Sequence, residues 1–134
     1  MSFGADFLGT WGSPVEQSND WAKNRKFEAG KAPSLSRLVV FEPAFSMTGA
    51  NADDRYAVRP GDEVKLALAV AREIIVERNN TRFAADSTVI AVLESYRVDA
   101  VAKDTGVPIE VIQKTADSLW AAKAKSLVVG SGGT

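Results

Sequence analysis

The sequence predicts a single α/β domain over residues 1–134, with a parallel sheet of few strands flanked by helices. Short apolar runs alternate along the chain with longer segments of helical periodicity. The runs at 38–41 and 126–129 are almost continuously apolar, as in strands buried on both faces of a parallel sheet. A length of 134 residues, 46% hydrophobic and 25% charged, fits one globular core.

The first elements are a strand and a helix. Residues 1–6 read as the end of a strand that runs into a turn at Gly4. Ser13 as N-cap, Pro14 at the first helical position and Glu16 in the first turn predict a helix that extends to about Phe27.

A loop over 30–36 then leads into the first buried strand, residues 38–41, which Glu42 and Pro43 close. Residues 44–60 lack a clear periodicity, so we expect a long irregular connection there.

The second half of the chain is predominantly helical. Asp62 is expected to cap the strongest helix, which runs to about Asn80 with an apolar face of Val64, Leu66, Leu68, Val70, Ile74 and Ile75. Further helices are predicted from Asp86, burying Val89, Val92 and Leu93, then over 99–104, and from Pro108 to about Ala124. A strand at 126–129 and a Gly-rich loop at 130–134 follow, which gives a Rossmann-like order of elements.

Composition excludes several kinds of chemistry. The chain has no Cys and no His, so it offers no iron-sulfur ligands, no ordinary zinc site and no Cys/His or Ser/His nucleophile pair. A net charge of -1 provides no basic field for nucleic acid. No apolar run approaches the roughly 20 residues that span a bilayer, so direct membrane insertion is not expected.

Ligand sites in parallel sheets lie beyond the carboxyl ends of the strands. Glu42 could accept hydrogen bonds from a ribose or guanine there, or could simply cap nearby backbone N–H groups. Gly4 with Asp6, and the loop that contains Gly130 and Gly132, could bring backbone N–H groups close to phosphates, or could be ordinary turns.

Other acidic residues give weaker signals. Asp53, Asp62 and Glu63 do not follow the spacing of a calcium or magnesium loop, so we expect no metal site. No pair of acids is placed for hydrolysis, and therefore no catalytic residue is expected in this chain. Trp11, Trp21 and Trp120 are expected in the core or at an interface.

The order of motifs resembles the molybdopterin oxidoreductase family. The motifs are Val40-Phe41-Glu42-Pro43, Ser46-Met47-Thr48-Gly49-Ala50-Asn51-Ala52-Asp53, Arg59-Pro60-Gly61-Asp62-Glu63, Thr105-Gly106-Val107-Pro108 and Leu127-Val128-Val129-Gly130. More narrowly, residues 4–16 and 45–53 are similar to the molybdopterin-like part of the iron-sulfur subunit of alternative complex III.

The resemblance implies that Glu42, Thr48 and Glu63 match positions near the guanosine end of molybdopterin guanine dinucleotide, and Asp53 is predicted as a further cofactor-binding residue. Asp6 stands where the family has Asn, and its carboxylate would repel a pyrophosphate. We therefore expect an inherited fold whose pterin is absent.

The expected function is that of an excised domain in an electron-transfer subunit of a quinol-oxidising respiratory complex. Its partners would be other domains of that subunit, which hold any iron-sulfur clusters, and other subunits of a membrane-associated complex. The resemblance implies the bacterial periplasmic side, although the residues themselves give no address. The alternatives are the cofactor-binding half of a catalytic molybdopterin guanine dinucleotide oxidoreductase and a non-catalytic interaction domain.

Overall fold

The computed structural model describes residues 1–23, 25–27, 29–30, 35–78, 82–122 and 125–131. Within these residues a four-stranded sheet has the order β3-β2-β1-β4, and every neighbouring pair is parallel. The strands are β1 (Ser2–Phe3), β2 (Val39–Glu42), β3 (Asp54–Ala57) and β4 (Val129–Gly130). The predicted α/β class with a parallel sheet flanked by helices is confirmed.

Helical segments make up most of the remainder. They are α1 (Pro14–Lys23), α2 (Met47–Ala50), α3 (Asp62–Arg72), α4 (Ser87–Leu93), α5 (Val98–Thr105) and α6 (Ile109–Ala122). A π-helical turn over Glu73–Glu77 continues α3.

The main core lies between one face of the sheet and α3, α5 and α6. Phe3, Phe41 and Tyr56 stack across three neighbouring strands, with centroid distances of 5.2 Å and 5.1 Å. Leu66 of α3 and Ile112 of α6 are completely buried against this face. Burial of this apolar surface holds the helices on the sheet and fixes its carboxyl edge.

The structure contradicts the irregular connection predicted for 44–60. This stretch contains α2 and the strand β3, which pairs with β2 from Val39↔Asp54 to Glu42↔Ala57. The strand lies at one side of the sheet and its residues are half-buried or exposed, so polar side chains replace the apolar run that marks a central strand.

Several helix limits also differ from the prediction. The helix α1 begins at Pro14 as expected but ends at Lys23 rather than near Phe27, and it buries none of its residues. Asp62 is the first residue of α3 and not its cap, because Gly61, with φ 92°, occupies the cap position. The expected ends near Asn80 and Ala124 lie outside the described residues.

The predicted apolar faces were wrong at two positions. Val64 and Val92 are each 54% exposed, while Leu66, Val70 and Leu93 are buried as expected. The start of α4 at Asp86, whose carboxylate accepts from the N–H groups of Thr88 and Val89, is confirmed. The helix α6 begins at Ile109, one residue after the predicted Pro108.

The last strand is shorter than predicted. It comprises Val129–Gly130 only, so Gly130 belongs to the strand and not to the loop after it. Leu127 and Val128 precede the strand and are 73% and 50% exposed.

Candidate functional site: the carboxyl edge of the sheet

The carboxyl ends of the parallel strands meet at one edge of the sheet. Gly4, Glu42 and Ser131 lie there, immediately at the ends of β1, β2 and β4. The strand order reverses between β1 and β4, and open α/β sheets bind ligands in the crevice at such a point. We call the space in front of Gly4, between Gly4, Glu63 and Ser131, the switch-point notch.

Asp6 and Thr48 join the loops that follow β1 and β2. Asp6 Oδ1 accepts hydrogen bonds from the Thr48 amide at 3.0 Å and the Thr48 hydroxyl at 2.8 Å. The same hydroxyl oxygen accepts from the Leu8 amide at 2.9 Å, and Thr48 is completely buried. Both predicted site residues therefore lie together, and one oxygen of Asp6 is already used by the chain itself.

Glu42 is held by groups of its own loop and of the neighbouring strand. Its carboxylate accepts from the Ser46 hydroxyl at 2.6 Å and from Arg55 Nε at 2.6 Å, and its side chain is 5% exposed. Gly49 makes room for it, because a Cβ at that position would overlap Glu42 Oε1. The Ser46 amide also donates to Glu42 Oε1 at 3.3 Å, which agrees with the cap interpretation of Glu42, and Arg55 adds an ion pair.

Glu63 reaches back over the start of α3. Its Oε2 accepts from the Gly61 amide at 2.7 Å, which satisfies one of the free N–H groups at the helix start. Its Oε1 lies 3.3 Å from the ideal Cβ position of Gly4, which has φ 74°, and the Ser131 carbonyl oxygen lies 3.4 Å from the same position. Two acceptor oxygens thus border the switch-point notch.

These residues do not fit the pyrophosphate of a guanine dinucleotide. The Gly4 amide donates to the Phe41 carbonyl at 2.8 Å, and the Ser131 amide donates to the Phe3 carbonyl at 3.0 Å. The Gly61 amide is taken by Glu63. A phosphate requires N–H donors or cations, whereas the atoms that border this notch are oxygens of Glu63 and Ser131.

Asp53 lies at the opposite, amino edge of the sheet. Its carboxylate accepts two hydrogen bonds from Arg25, both at 2.8 Å, and one from the Leu38 amide at 2.7 Å. The Arg25 hydrogen bonds lower the pKa of Asp53, and the Leu38 amide adds to this effect. The structure therefore does not bring Asp53 together with Gly4, Asp6, Glu42, Thr48 and Glu63.

The two remaining predicted residues are Gly130 and Gly132. Gly130 ends β4 beside Phe3 at the switch point, and a Cβ there would make only an ordinary contact, 3.9 Å from the Phe3 carbonyl oxygen. Gly132 lies outside the described residues.

A charged network between α3 and α5 was not expected from the sequence. Buried Asp62 accepts from Lys65 at 2.9 Å and from Arg59 at 3.0 Å, and Lys65 also bonds Asp104 at 2.6 Å. The Lys65 hydrogen bond, together with Arg59, lowers the pKa of Asp62. Asp62 is fully paired in this way and offers no ligand group, and Lys65 ties α3 to α5 through Asp104.

Sequence reasoning also missed Ser46, Arg55 and Gly49. Ser46 was recognisable, because a Ser before a helical turn is an N-cap signal, and its hydroxyl does accept from the Gly49 amide at 3.0 Å. Arg55 could not be recognised as a site residue, because it lies on β3, the strand that was not predicted from the sequence.

A second opening is lined by none of the carboxyl-edge residues Gly4, Asp6, Glu42, Thr48 and Glu63. It is a cavity of about 540 Å³ between α1, α6 and the first residues of β2, and Trp11 and Trp21 line it. Trp11 is 40% exposed, and Trp21 and Trp120 are half-buried, so none of the three lies fully in the core.

Neither a cluster of metal-binding side chains nor a membrane-spanning helix is found among the described residues. Among the residues that the structure describes, no group of three or more His, Cys, Asp or Glu side chains could hold a metal ion. None of the described helices is long and apolar enough to cross a bilayer.

Comparison with known proteins finds similarity both in sequence and in fold. No protein-family model matches the chain. The chain is 29% identical over 132 residues to the menaquinone reductase, molybdopterin-binding-like subunit, of Nitratidesulfovibrio vulgaris; the match covers 98% of this chain and 18% of that protein. Acetylene hydratase from Pelobacter acetylenicus shares the fold, with a TM-score of 0.55 and 22% identity over 69% of this chain and 13% of that one.

The chain thus spans less than a fifth of the length of the curated relative. The similarity nevertheless extends along nearly all of this chain. The predicted resemblance of this chain to the molybdopterin oxidoreductase family is confirmed.

Proposed function

We propose that the chain is one domain of a larger molybdopterin-oxidoreductase-like subunit that serves electron transfer in a quinone-reactive respiratory complex and holds no pterin of its own. Its partners are other domains of that subunit, which carry any iron-sulfur clusters, and further subunits of a membrane-associated complex. The relative's name, a menaquinone reductase subunit that is molybdopterin-binding-like, supports the assignment to such a complex.

One observation supports the absence of pterin: N–H donors at the carboxyl edge already form hydrogen bonds within the chain. The amides of Gly4, Ser131 and Gly61 donate to Phe41, Phe3 and Glu63. A pyrophosphate could gain these N–H groups only by breaking hydrogen bonds of the sheet and of the helix start, and it would then face the carboxylates of Asp6 and Glu63.

No catalytic residue is assigned to this chain under the proposal. Its contribution is structural: the sheet and α3, α5 and α6 form a rigid body whose edge loops are cross-linked by Asp6–Thr48 and Glu42–Arg55. A rigid domain of this kind can hold neighbouring electron-transfer groups at a fixed separation.

A second candidate is the cofactor-binding half of a catalytic molybdopterin guanine dinucleotide enzyme. It is favoured by the strand order, which places a switch point between β1 and β4, and by Gly4, which has a φ of 74° at the end of β1. The molybdenum and pterin content of the purified subunit separates the two candidates.

The experiment is isolation of the complete subunit in its native complex, with molybdenum measured by mass spectrometry and pterin by fluorescence after oxidation. The proposal predicts that both are far below stoichiometric, while the subunit purifies together with iron-sulfur and membrane subunits. Stoichiometric molybdenum and pterin bound to this domain would establish the second candidate instead.

A further inference from the structure

The strand β4 lies at one side of the sheet, although the sequence around it is typical of a central strand. We call residues 127–131 the β4 segment. It begins with Leu-Val-Val, a continuous apolar run of the kind that parallel sheets bury on both faces. In the structure Leu127 is 73% exposed and Val128 is 50% exposed, and β4 pairs with β1 alone among the described strands. Edge strands usually carry charged side chains that discourage further pairing, as β3 does with Asp54 and Arg55.

The backbone of the β4 segment is bonded to the sheet on one side. The amides of Val129 and Ser131 donate to carbonyl groups on the β1 side, both at 3.0 Å. Because alternate residues of a strand direct their backbone groups to opposite sides, the N–H and C=O groups of Val128 and Gly130 point away from β1. No other described strand pairs with β4 there. A further strand can bond to this outer row without disturbing the existing sheet.

Cavities border the β4 segment. Val129, together with Leu127, lines the cavity of about 540 Å³ described above, whereas Val128 lines another cavity of about 370 Å³. Successive side chains of a strand point to opposite faces of its sheet, so each face of the β4 segment borders one of the cavities. The second cavity has mainly apolar walls, which include Phe3, Val70, Ile74, Phe83 and Leu119. Apolar space that the described residues do not fill therefore lies on both faces at the same edge of the sheet.

These features select a β-strand with apolar side chains as the partner. A helix uses its own backbone groups internally, whereas a strand continues the hydrogen bonding of the sheet. The side chains of a strand alternate between the two faces, so successive apolar residues would enter the two cavities in turn. The matched region makes up only 18% of the curated relative, so a subunit of that length contains further segments that can supply such a strand.

We propose that the β4 segment is a docking edge, at which an apolar strand from another part of the larger subunit extends the sheet beyond β4. This inference rests on the proposed function, because the docking strand belongs to the larger subunit. It places the contact between this domain and its neighbour at the apolar edge of the sheet and not at the polar edge formed by β3.

Hydrogen exchange tests the proposal, with the complete subunit in its native complex compared with the chain alone and mass spectrometry resolving single amides. The Val128 and Gly130 amides should exchange rapidly in the chain alone, and the complete subunit should slow them by about 100-fold or more, because a hydrogen bond between strands protects an amide until the pair opens. The Val129 amide, already bonded, should be protected in both. The Arg55 and Ala57 amides on the outer side of β3 are the matched control and should gain no protection.

Unchanged exchange at Val128 and Gly130 in the complete subunit would overturn the inference, as would an equal gain of protection at Ala57. Protection that rises with the concentration of the chain alone would identify a second copy as the partner and would overturn it too.

The molybdenum and pterin content decides the proposed function separately. A pterin-loaded subunit with a protected Val128 amide would reject only the pterin-free function. A pterin-free subunit with an unprotected Val128 amide would reject only the docking inference.

Discussion

Asp6 and Thr48, which are 42 residues apart in sequence, form two hydrogen bonds through a single carboxylate oxygen at the carboxyl edge of the sheet. Thr48 passes the connection on to the Leu8 amide. The loops after β1 and β2 are thereby fixed to each other without any ligand.

Thr48→Val keeps the shape of this side chain and removes its hydroxyl. Because Asp6 and the Leu8 amide each lose a partner in a fully buried position, we expect the free energy of unfolding to fall by about 2 to 3 kcal/mol. Urea denaturation measures this change. Thr88→Val on the exposed surface of α4 is the matched control, and equal effects of the two substitutions would contradict the assigned role of Thr48.

In Gly49→Ala, a gain in helix propensity is opposed by a steric overlap in the folded chain. Alanine in a helix is normally favoured over glycine by about 1 kcal/mol, but here its Cβ would overlap Glu42 Oε1 and lie 3.1 Å from Arg55 Nε. We expect the overlap to dominate, with a net loss of about 1 to 3 kcal/mol in thermal or urea unfolding. Gly130→Ala meets no close atom, and it should cost clearly less than Gly49→Ala.

Arg55→Met leaves the buried Glu42 carboxylate without its cation. We expect a loss of about 2 to 4 kcal/mol, part of which is recovered in the double variant with Glu42→Gln, because the neutral amide needs no counter-charge. Arg97→Met breaks an exposed pair with Asp99 and should change stability by less than about 1 kcal/mol. A double variant no more stable than Arg55→Met would show that the ion pair is not the cause.

Stability should fall in acid because of Asp62 and Asp53. Their pKa values are lowered in the folded chain by hydrogen bonds from Lys65 and Arg25, so they stabilise the fold fully above their unfolded pKa of about 3.9. This contribution is lost as the pH falls through their lower folded pKa values.

Urea denaturation at a series of pH values from neutral to below pH 3 tests this dependence. Asp62→Asn should make the decline shallower, and Asp99→Asn provides a variant with the same change in net charge. An unchanged decline in Asp62→Asn would contradict the contribution of Asp62.

The sequence allowed the strand ends to be predicted but not their pairing. The runs at β1 and β2 are apolar and buried, which placed Gly4 and Glu42 correctly at the carboxyl edge. β3 was missed because Asp54, Arg55 and Tyr56 lie at the side of the sheet, where polar groups can bind other side chains and solvent.

Asp53 shows that residues close in sequence can lie at opposite edges of the sheet. It follows Thr48 by only a few residues, but β3 is parallel to β2, so the chain must return to the amino edge before β3 begins. Asp53 therefore meets Arg25 and Leu38, whereas Thr48 meets Asp6. Contacts of this kind depend on the register of the sheet, which no local pattern encodes.

The absence of a bound pterin guanine dinucleotide is tested most directly by titrating GDP into the chain and following the Gly4, Thr48 and Ser131 amides by NMR. Because the edge N–H groups are already bonded and Asp6 and Glu63 repel phosphate, we predict no saturable shift at any of these amides. Saturable shifts centred on Gly4 and Ser131 would contradict the account.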